Sequence, residues 1–249
     1  QCFFSWSNGE ALGGTHCEIP AILLRIYGPM RNSGLPRESQ VTANLSAFGV
    51  ASASACPQLT NARLVREHMQ IRDTMVEDSV EVLWLQGKTW FVDIRTGFDQ
   101  NPRHGWAFAG QIEWAEPKVT FHHLLDTGGD TGSDCGSFVF TDFGCFEVGD
   151  VTRGDLVLPF EEKWLRVAES PSTRAFIAET DGQLAAVKIQ QTKCTACVSK
   201  LGAAIYVDKE GVLELERVFT TQEEDAGECG TNSLLDDFAS ARWQLAETT

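Results

Sequence analysis

From residue 78 onward, apolar and polar side chains alternate with a period of two. Val80, Val82 and Trp84 alternate with Ser79, Glu81 and Leu83, and Gln86-Gly87 offers a turn. Trp90, Val92 and Ile94 then alternate with Phe91, Asp93 and Arg95, which predicts a hairpin with Trp84 and Trp90 on its inner face. Trp106, Phe108, Gly110, Ile112 and Trp114 form a clean apolar row, opposed by Ala107, Ala109, Gln111 and Glu113. Val119, Phe121, His123 and Leu125 make the next row, against Lys118, Thr120, His122 and Leu124. Such alternation is the mark of antiparallel strands with one buried face.

The pattern recurs. Arg174–Glu179 and Gln183–Gln191 flank Asp181-Gly182, a type I′ turn signal. Val92 and Ile94 are echoed by Val187 and Ile189, and Val119 and Phe121 by Leu213 and Leu215, at an offset of about 95 residues. The expected fold is all-β, with two tandem antiparallel barrels. The first runs from 78 through 134 and nearby strands to about 158; the second covers 159–249 and a short C-terminal helix. Leu234, Leu235, Phe238, Ala241, Arg242 and Leu245 carry that helix, with Ser233 as its N-cap. Pro159-Phe160-Glu161-Glu162-Lys163-Trp164 is expected to open the second barrel. Phe160 and Trp164 should pack inward, and Glu162 should find a basic partner in Arg166 or Arg95, because a buried unpaired acid is costly. Residues 1–77 read as an extension, poorly structured or partly helical, with Leu64–Met75 as a short helix.

Charge narrows the partners. Against 20 Lys and Arg stand 35 Asp and Glu, a net −15 over 249 residues. Such a field repels phosphate backbones and anionic membrane surfaces, so neither nucleic acid nor membrane is an expected partner. No apolar run is long enough to span a bilayer. The chain begins with Gln and not Met, which leaves its true start open, so targeting is not legible. Asn44-Leu45-Ser46 is a formal sequon, read as chance without a secretory signal. Eight cysteines without a framework of spacings read as free thiols in a reducing compartment. Cys194-Thr-Ala-Cys197 lacks the second pair that a structural zinc site needs.

Candidate chemistry is sparse. Leu124-Leu125-Asp126-Thr127-Gly128 resembles the catalytic loop of an aspartic protease, where two carboxylates share one proton. A homodimer placing two Asp126 side chains together would be an aspartic-type hydrolase, the alternative reading; otherwise no catalytic residue is expected. His123 lies on the apolar row, so an interior role fits it better than metal ligation. No metal or cofactor is implied. Trp84, Trp90, Trp106, Phe108, Trp114, Phe121 and His123 are the candidate lining of a barrel interior, filled or hollow. Phe160, Glu162 and Trp164 are candidates for a structural or interaction role.

Val92-Asp93-Ile94-Arg95, Trp106-Ala-Phe-Ala-Gly110, Glu147-x-Gly149 and Pro159-Phe-Glu-Glu-Lys-Trp164 together resemble the fungal HRI-one family over residues 78–220. The resemblance implies two lipocalin-like barrels in a soluble cytoplasmic or nuclear protein without assigned catalysis. It also implies that the Asp126–Asp134 loop sits at a strand end of a non-enzymatic fold. The expected function is therefore non-catalytic, either binding a small apolar ligand or serving as a protein-interaction scaffold.

Overall fold

In a computed structural model, residues 49–72, 74–76, 80–97, 104–153, 156–221 and 227–249 are described. Nine strands build the first sheet: β1 (Ala62–Ile71), β2 (Thr74–Val76), β3 (Glu81–Gln86), β4 (Trp90–Thr96), β5 (Gly105–Ala115), β6 (Lys118–Asp126), β7 (Ser133–Thr141), β8 (Gly144–Arg153) and β9 (Leu156–Glu169). Every neighbouring pair is antiparallel, and β1 also pairs with β9. That pairing closes eight strands into a barrel, with β2 appended to β1. Closure removes the sheet edges and leaves an interior that side chains must fill.

Closure corrects two expectations. Residues 62–71 are a strand of the barrel and not a helix in an extension. A bulge at Glu67 breaks their alternation, so Leu64 and Arg66 face inward before it and Met69 and Ile71 after it. Likewise Pro159–Trp164 does not open a second unit, because β9 is the strand that closes the first. Residues 49–61 cross one barrel end. There the Ser54 amide donates to the Ile112 carbonyl at 3.0 Å, while Cys56 and Leu59 are buried in the barrel core.

A second sheet follows: β10 (Arg174–Thr180), β11 (Gln183–Gln191), β12 (Cys194–Ser199), β13 (Gly202–Lys209), β14 (Val212–Thr220), then α1 (Gly227–Ser240) and β15 (Gln244–Thr248). The order is β14-β13-β12-β11-β10-β15, so among the described residues β14 and β15 are edges and the sheet is open. Asp181 and Gly182 take φ of 53° and 73°, as a type I′ hairpin turn requires. One face of this sheet packs on the outside of the barrel. Leu83, Leu85, Trp90, Val92 and Ile94 meet Ile177, Val187, Ile189, Val198 and Ile205 in that core. On the other face, Leu234 and Phe238 of α1 pack against Ala186, Cys197 and Ala204.

The sandwich explains why the apparent repeat is misleading. Val92 and Val187, aligned by the offset, belong to the same core between barrel and sheet, whereas Leu213 and Leu215 lie exposed on edge strand β14. The helix also ends earlier than expected. The Trp243 indole donates to the Phe238 carbonyl at 3.1 Å, and the chain then pairs with β10 as β15. Ser233 lies inside the helix, and Leu245 is an exposed strand residue.

Candidate functional site

The barrel interior is aromatic at the end covered by residues 49–61 and charged towards the other. Trp84 is the pivot, edge-on to Phe121, Phe138 and Trp164 at centroid distances of 5.3, 6.0 and 5.3 Å. Above this layer, Phe91, Asp93 and Arg95 share the inward face of β4. The inward row expected there was Trp90, Val92 and Ile94, which instead face the second sheet. Both faces of β4 are buried, so its alternation carries two cores and no polar face to identify the outside.

A bulge aims two further groups. Ala109 pairs with Leu125 and Gly110 with His123, leaving Leu124 as the extra residue. The parity of β6 therefore switches. Leu125 turns outward into the inter-sheet core, while His123 and Asp126 both turn towards the interior. Gly110 permits this close approach, because a Cβ there would stand 1.8 Å from the His122 carbonyl oxygen.

The result is a chain of buried charges. Arg95 forks onto Asp93, with Nε to Oδ1 at 2.8 Å and Nη2 to Oδ2 at 3.3 Å. Its guanidinium lies 4.9 Å from the Trp106 ring centroid and 5.1 Å from that of Phe108. Arg66 Nη1 donates to Glu162 Oε1 at 3.0 Å. The expected partners of Glu162, Arg166 and Arg95, are engaged elsewhere; Arg166 reaches the Gln58 carbonyl on the outside. His123 stacks on Phe108 with centroids 4.2 Å apart, and its Nε2 lies 3.2 Å from Asp134 Oδ2. That approach is off the hydrogen-bond axis, so the contact is chiefly Coulombic. Burial opposes charge on His123, but Asp134, Asp126 and Asp93 outweigh it and raise its pKa.

Glu147 is the least compensated member. The residue is 8% exposed, and the Trp164 indole donates to Oε2 at 3.1 Å. Space for it exists because position 136 is glycine; a Cβ there would lie 2.5 Å from Glu147 Cγ. Burial pushes this carboxyl well above its usual range, and Glu162 and Asp134 push it further. Burial likewise raises Asp93, against the pull of Arg95.

Around these groups is a cavity of about 90 Å³. Its walls include Trp84, Phe91, Trp106, Phe108, Phe121, Phe160 and Trp164, with Asp93, Arg95, Asp134, Glu147 and Glu162 among them. Of the residues singled out from the sequence, the barrel thus brings together Trp84, Trp106, Phe108, Phe121, Phe160, Glu162 and Trp164. Three stand apart from the lining. His123 sits behind Phe108, Trp114 packs on Phe140, and Trp90 faces the second sheet. Trp106 and Trp114, expected to be buried, are half-buried. Asp93, Arg95, Asp134 and Glu147 were missed, since alternate polar residues on a strand ordinarily mark its solvent face.

Asp126, the catalytic candidate, is 2% exposed. Its Oδ1 accepts the Trp106 indole at 3.0 Å and the Gly128 amide at 2.5 Å. Burial raises its pKa against those donors and His123. Among the described residues, no group of three or more His, Cys, Asp or Glu side chains could hold a metal ion. Cys194 and Cys197 project to opposite faces of β12, one into each core, and burial pushes them up to about 11 and about 12. Cys135 departs from the expected set of free thiols, being disulfide-bonded. No helix among the described residues is long and apolar enough to cross a membrane.

Comparison with known proteins agrees with this architecture. A solved structure, that of the uncharacterized protein YLR301w from Saccharomyces cerevisiae, superposes with a TM-score of 0.55 at 14% identity. The match covers 76% of this chain and 98% of that one. Curated protein sequences gave no match. The family described as Protein HRI1 matches residues 63–232, a span that begins in β1, takes in the rest of the first sheet and β10–β14 of the second, and ends within α1. The chain belongs to the HRI1 family.

Proposed function

We propose that the protein is a non-catalytic, lipocalin-like binding protein whose ligand enters the charged end of the barrel. The observation that carries this reading is the cavity itself, which stays open although seven aromatic rings surround it. A small barrel built only for stability fills its interior. Here buried carboxylates stand where apolar side chains would have packed. Such groups are destabilising unless satisfied, so their retention fits a site better than a core. They also alter the expected ligand. A wholly apolar molecule would leave the carboxylates without partners, whereas a small one bearing hydrogen-bond donors on an apolar body would satisfy walls of both kinds. The volume is below the roughly 150 Å³ that accepts benzene, which limits the occupant to a few heavy atoms or to one end of a longer molecule. Asp126 supports the non-catalytic reading, because its Oδ1 is already occupied in holding the turn at Gly128 beneath Trp106.

Indole N–H resonances test the proposal. Trp84, Trp106 and Trp164 line the cavity, whereas Trp243 caps α1 outside the barrel. In a screen of small fragments, binders should shift the first three signals and leave Trp243 in place. A Val151→Phe substitution, which fills the cavity wall, should abolish those shifts. Fragments that move only Trp243, or that still bind the filled variant, would refute the reading.

A further inference from the structure

The site holds more acidic than basic groups, and the surplus is localised. Asp93 is paired with Arg95, Glu162 with Arg66, and Asp134 lies against His123. Glu147 has one neutral donor, the Trp164 indole on Oε2, and its Oε1 has no hydrogen-bond partner among the described residues. This oxygen belongs to a side chain more than nine-tenths buried in a wall of the cavity. Aromatic faces surround the same space, and such faces attract cations, most strongly when water is excluded.

We infer that the cavity takes a small organic cation, a primary or methylated ammonium group, with Glu147 as its counter-ion. This rests on the binding reading above and specifies the ligand class. The groups facing Glu147 explain the selectivity. Glu162 and Asp134 add negative potential from β9 and β7; Arg95 on β4, already committed to Asp93, supplies the nearest positive charge. A second carboxylate entering as a ligand would meet three acids. A cation meets an open carboxylate oxygen and indole and phenyl faces. Burial raises the Glu147 carboxyl when the site is empty, and a cation beside it pulls the other way, so cation entry should draw protons off this group.

Isothermal titration of the whole chain with ethylammonium, tetramethylammonium, ethanol, benzene and acetate tests this. Ethylammonium should bind at least about tenfold more tightly than ethanol or acetate. Titrations in two buffers of different ionisation heat should show up to about one proton released per cation bound. Glu147→Gln should weaken ethylammonium binding by about tenfold or more and remove the proton release. A role of Glu147 in folding alone would not alter proton release. If that variant does not fold, the wild-type charge selectivity and proton release still decide. Equal affinity for ethanol or benzene and ethylammonium, or binding without proton release, would overturn the counter-ion assignment and leave the cavity reading standing. If no probe of any charge bound the wild-type chain, both would fall.

Discussion

Arg66 Nη1 lies 3.0 Å from Glu162 Oε1, with the two side chains 2% and 6% exposed, and the pair joins the strands that close the barrel. Removing one partner of such a pair strands the other charge, which costs about 3–5 kcal/mol. Arg66→Met should therefore lower the free energy of unfolding in urea by that amount. Replacing both, as Arg66→Met with Glu162→Leu, should recover most of the loss, because a buried pair is often no better than apolar residues of similar volume. A double variant as unstable as the single one would mean that the pair is not what stabilises the closure.

The same residue shows where sequence reading stops. That Glu162 would need a basic partner follows from its place between Phe160 and Trp164. Which base it finds depends on the pairing of β1 with β9, strands nearly a hundred residues apart, and on a bulge at Glu67 that spoils the alternation of Arg66. Strand content was legible wherever one face is polar, as in the Val119–His123 row, whose alternate residues Lys118, Thr120 and His122 are the less buried ones. It misled at β4, where Val92 and Phe91 are both fully buried in different cores. The interior charges were hidden for the same reason. Asp93 and Arg95 share a face with Phe91, and only closure of the sheet reveals that this face is the inside.

Acid should stabilise this fold relative to neutral pH. Burial raises Asp93, Asp126 and Glu147 above their ordinary carboxylate values, and neighbouring carboxylates raise His123 above its own. For each, the folded state holds a proton that the unfolded chain has released, so stability falls as pH rises from about 4.5 through the folded pKa values. Thermal unfolding followed by circular dichroism should give a higher midpoint at pH 5 than at pH 8. Glu147→Gln should flatten this slope. A midpoint that climbs with pH across the window would contradict the assignments.

Gly110→Ala should disturb the site through the backbone. The added methyl would sit 1.8 Å from the His122 carbonyl oxygen, inside the bulge that turns both His123 and Asp126 inward. Forcing atoms into such a space costs about 1–3 kcal/mol. The Trp106 indole resonance should shift as its acceptor Asp126 moves. An unchanged spectrum together with unchanged stability would show that the bulge does not depend on glycine.

Glu247, in the last strand, clasps the β3–β4 turn. Its carboxylate accepts the backbone amides of Lys88 at 2.6 Å, Thr89 at 3.0 Å and Trp90 at 3.2 Å, and the Thr89 hydroxyl at 2.8 Å. Hydrogen bonds to a charged acceptor contribute about 1.5–3 kcal/mol. Glu247→Ala should destabilise by at least the lower figure and speed hydrogen exchange at Lys88 and Thr89 well beyond that at Ile94. Uniform acceleration across β4 would instead indicate global loosening, and no change would show the clasp to be inert.

Trp164 and Trp106 both donate an indole N–H to a buried carboxylate, yet their removal should have unequal consequences. Trp164 is 1% exposed, meets Trp84 edge-on at 5.3 Å and donates its indole N–H to Glu147 Oε2. Trp164→Ala empties the packed half of the barrel and strips that donor, so it should cost about 3–5 kcal/mol. Trp106 is half-buried, tilted against Phe108 at 4.9 Å, and water already reaches part of its ring. Losing it should cost about 1–2 kcal/mol of packing while widening access to Arg95 and the cavity. Urea titrations of the two variants measure the difference directly. Equal losses would mean that the end bearing Trp106 is packed as tightly as the end beneath Trp84, and a barrel packed alike at both ends has no room for a ligand.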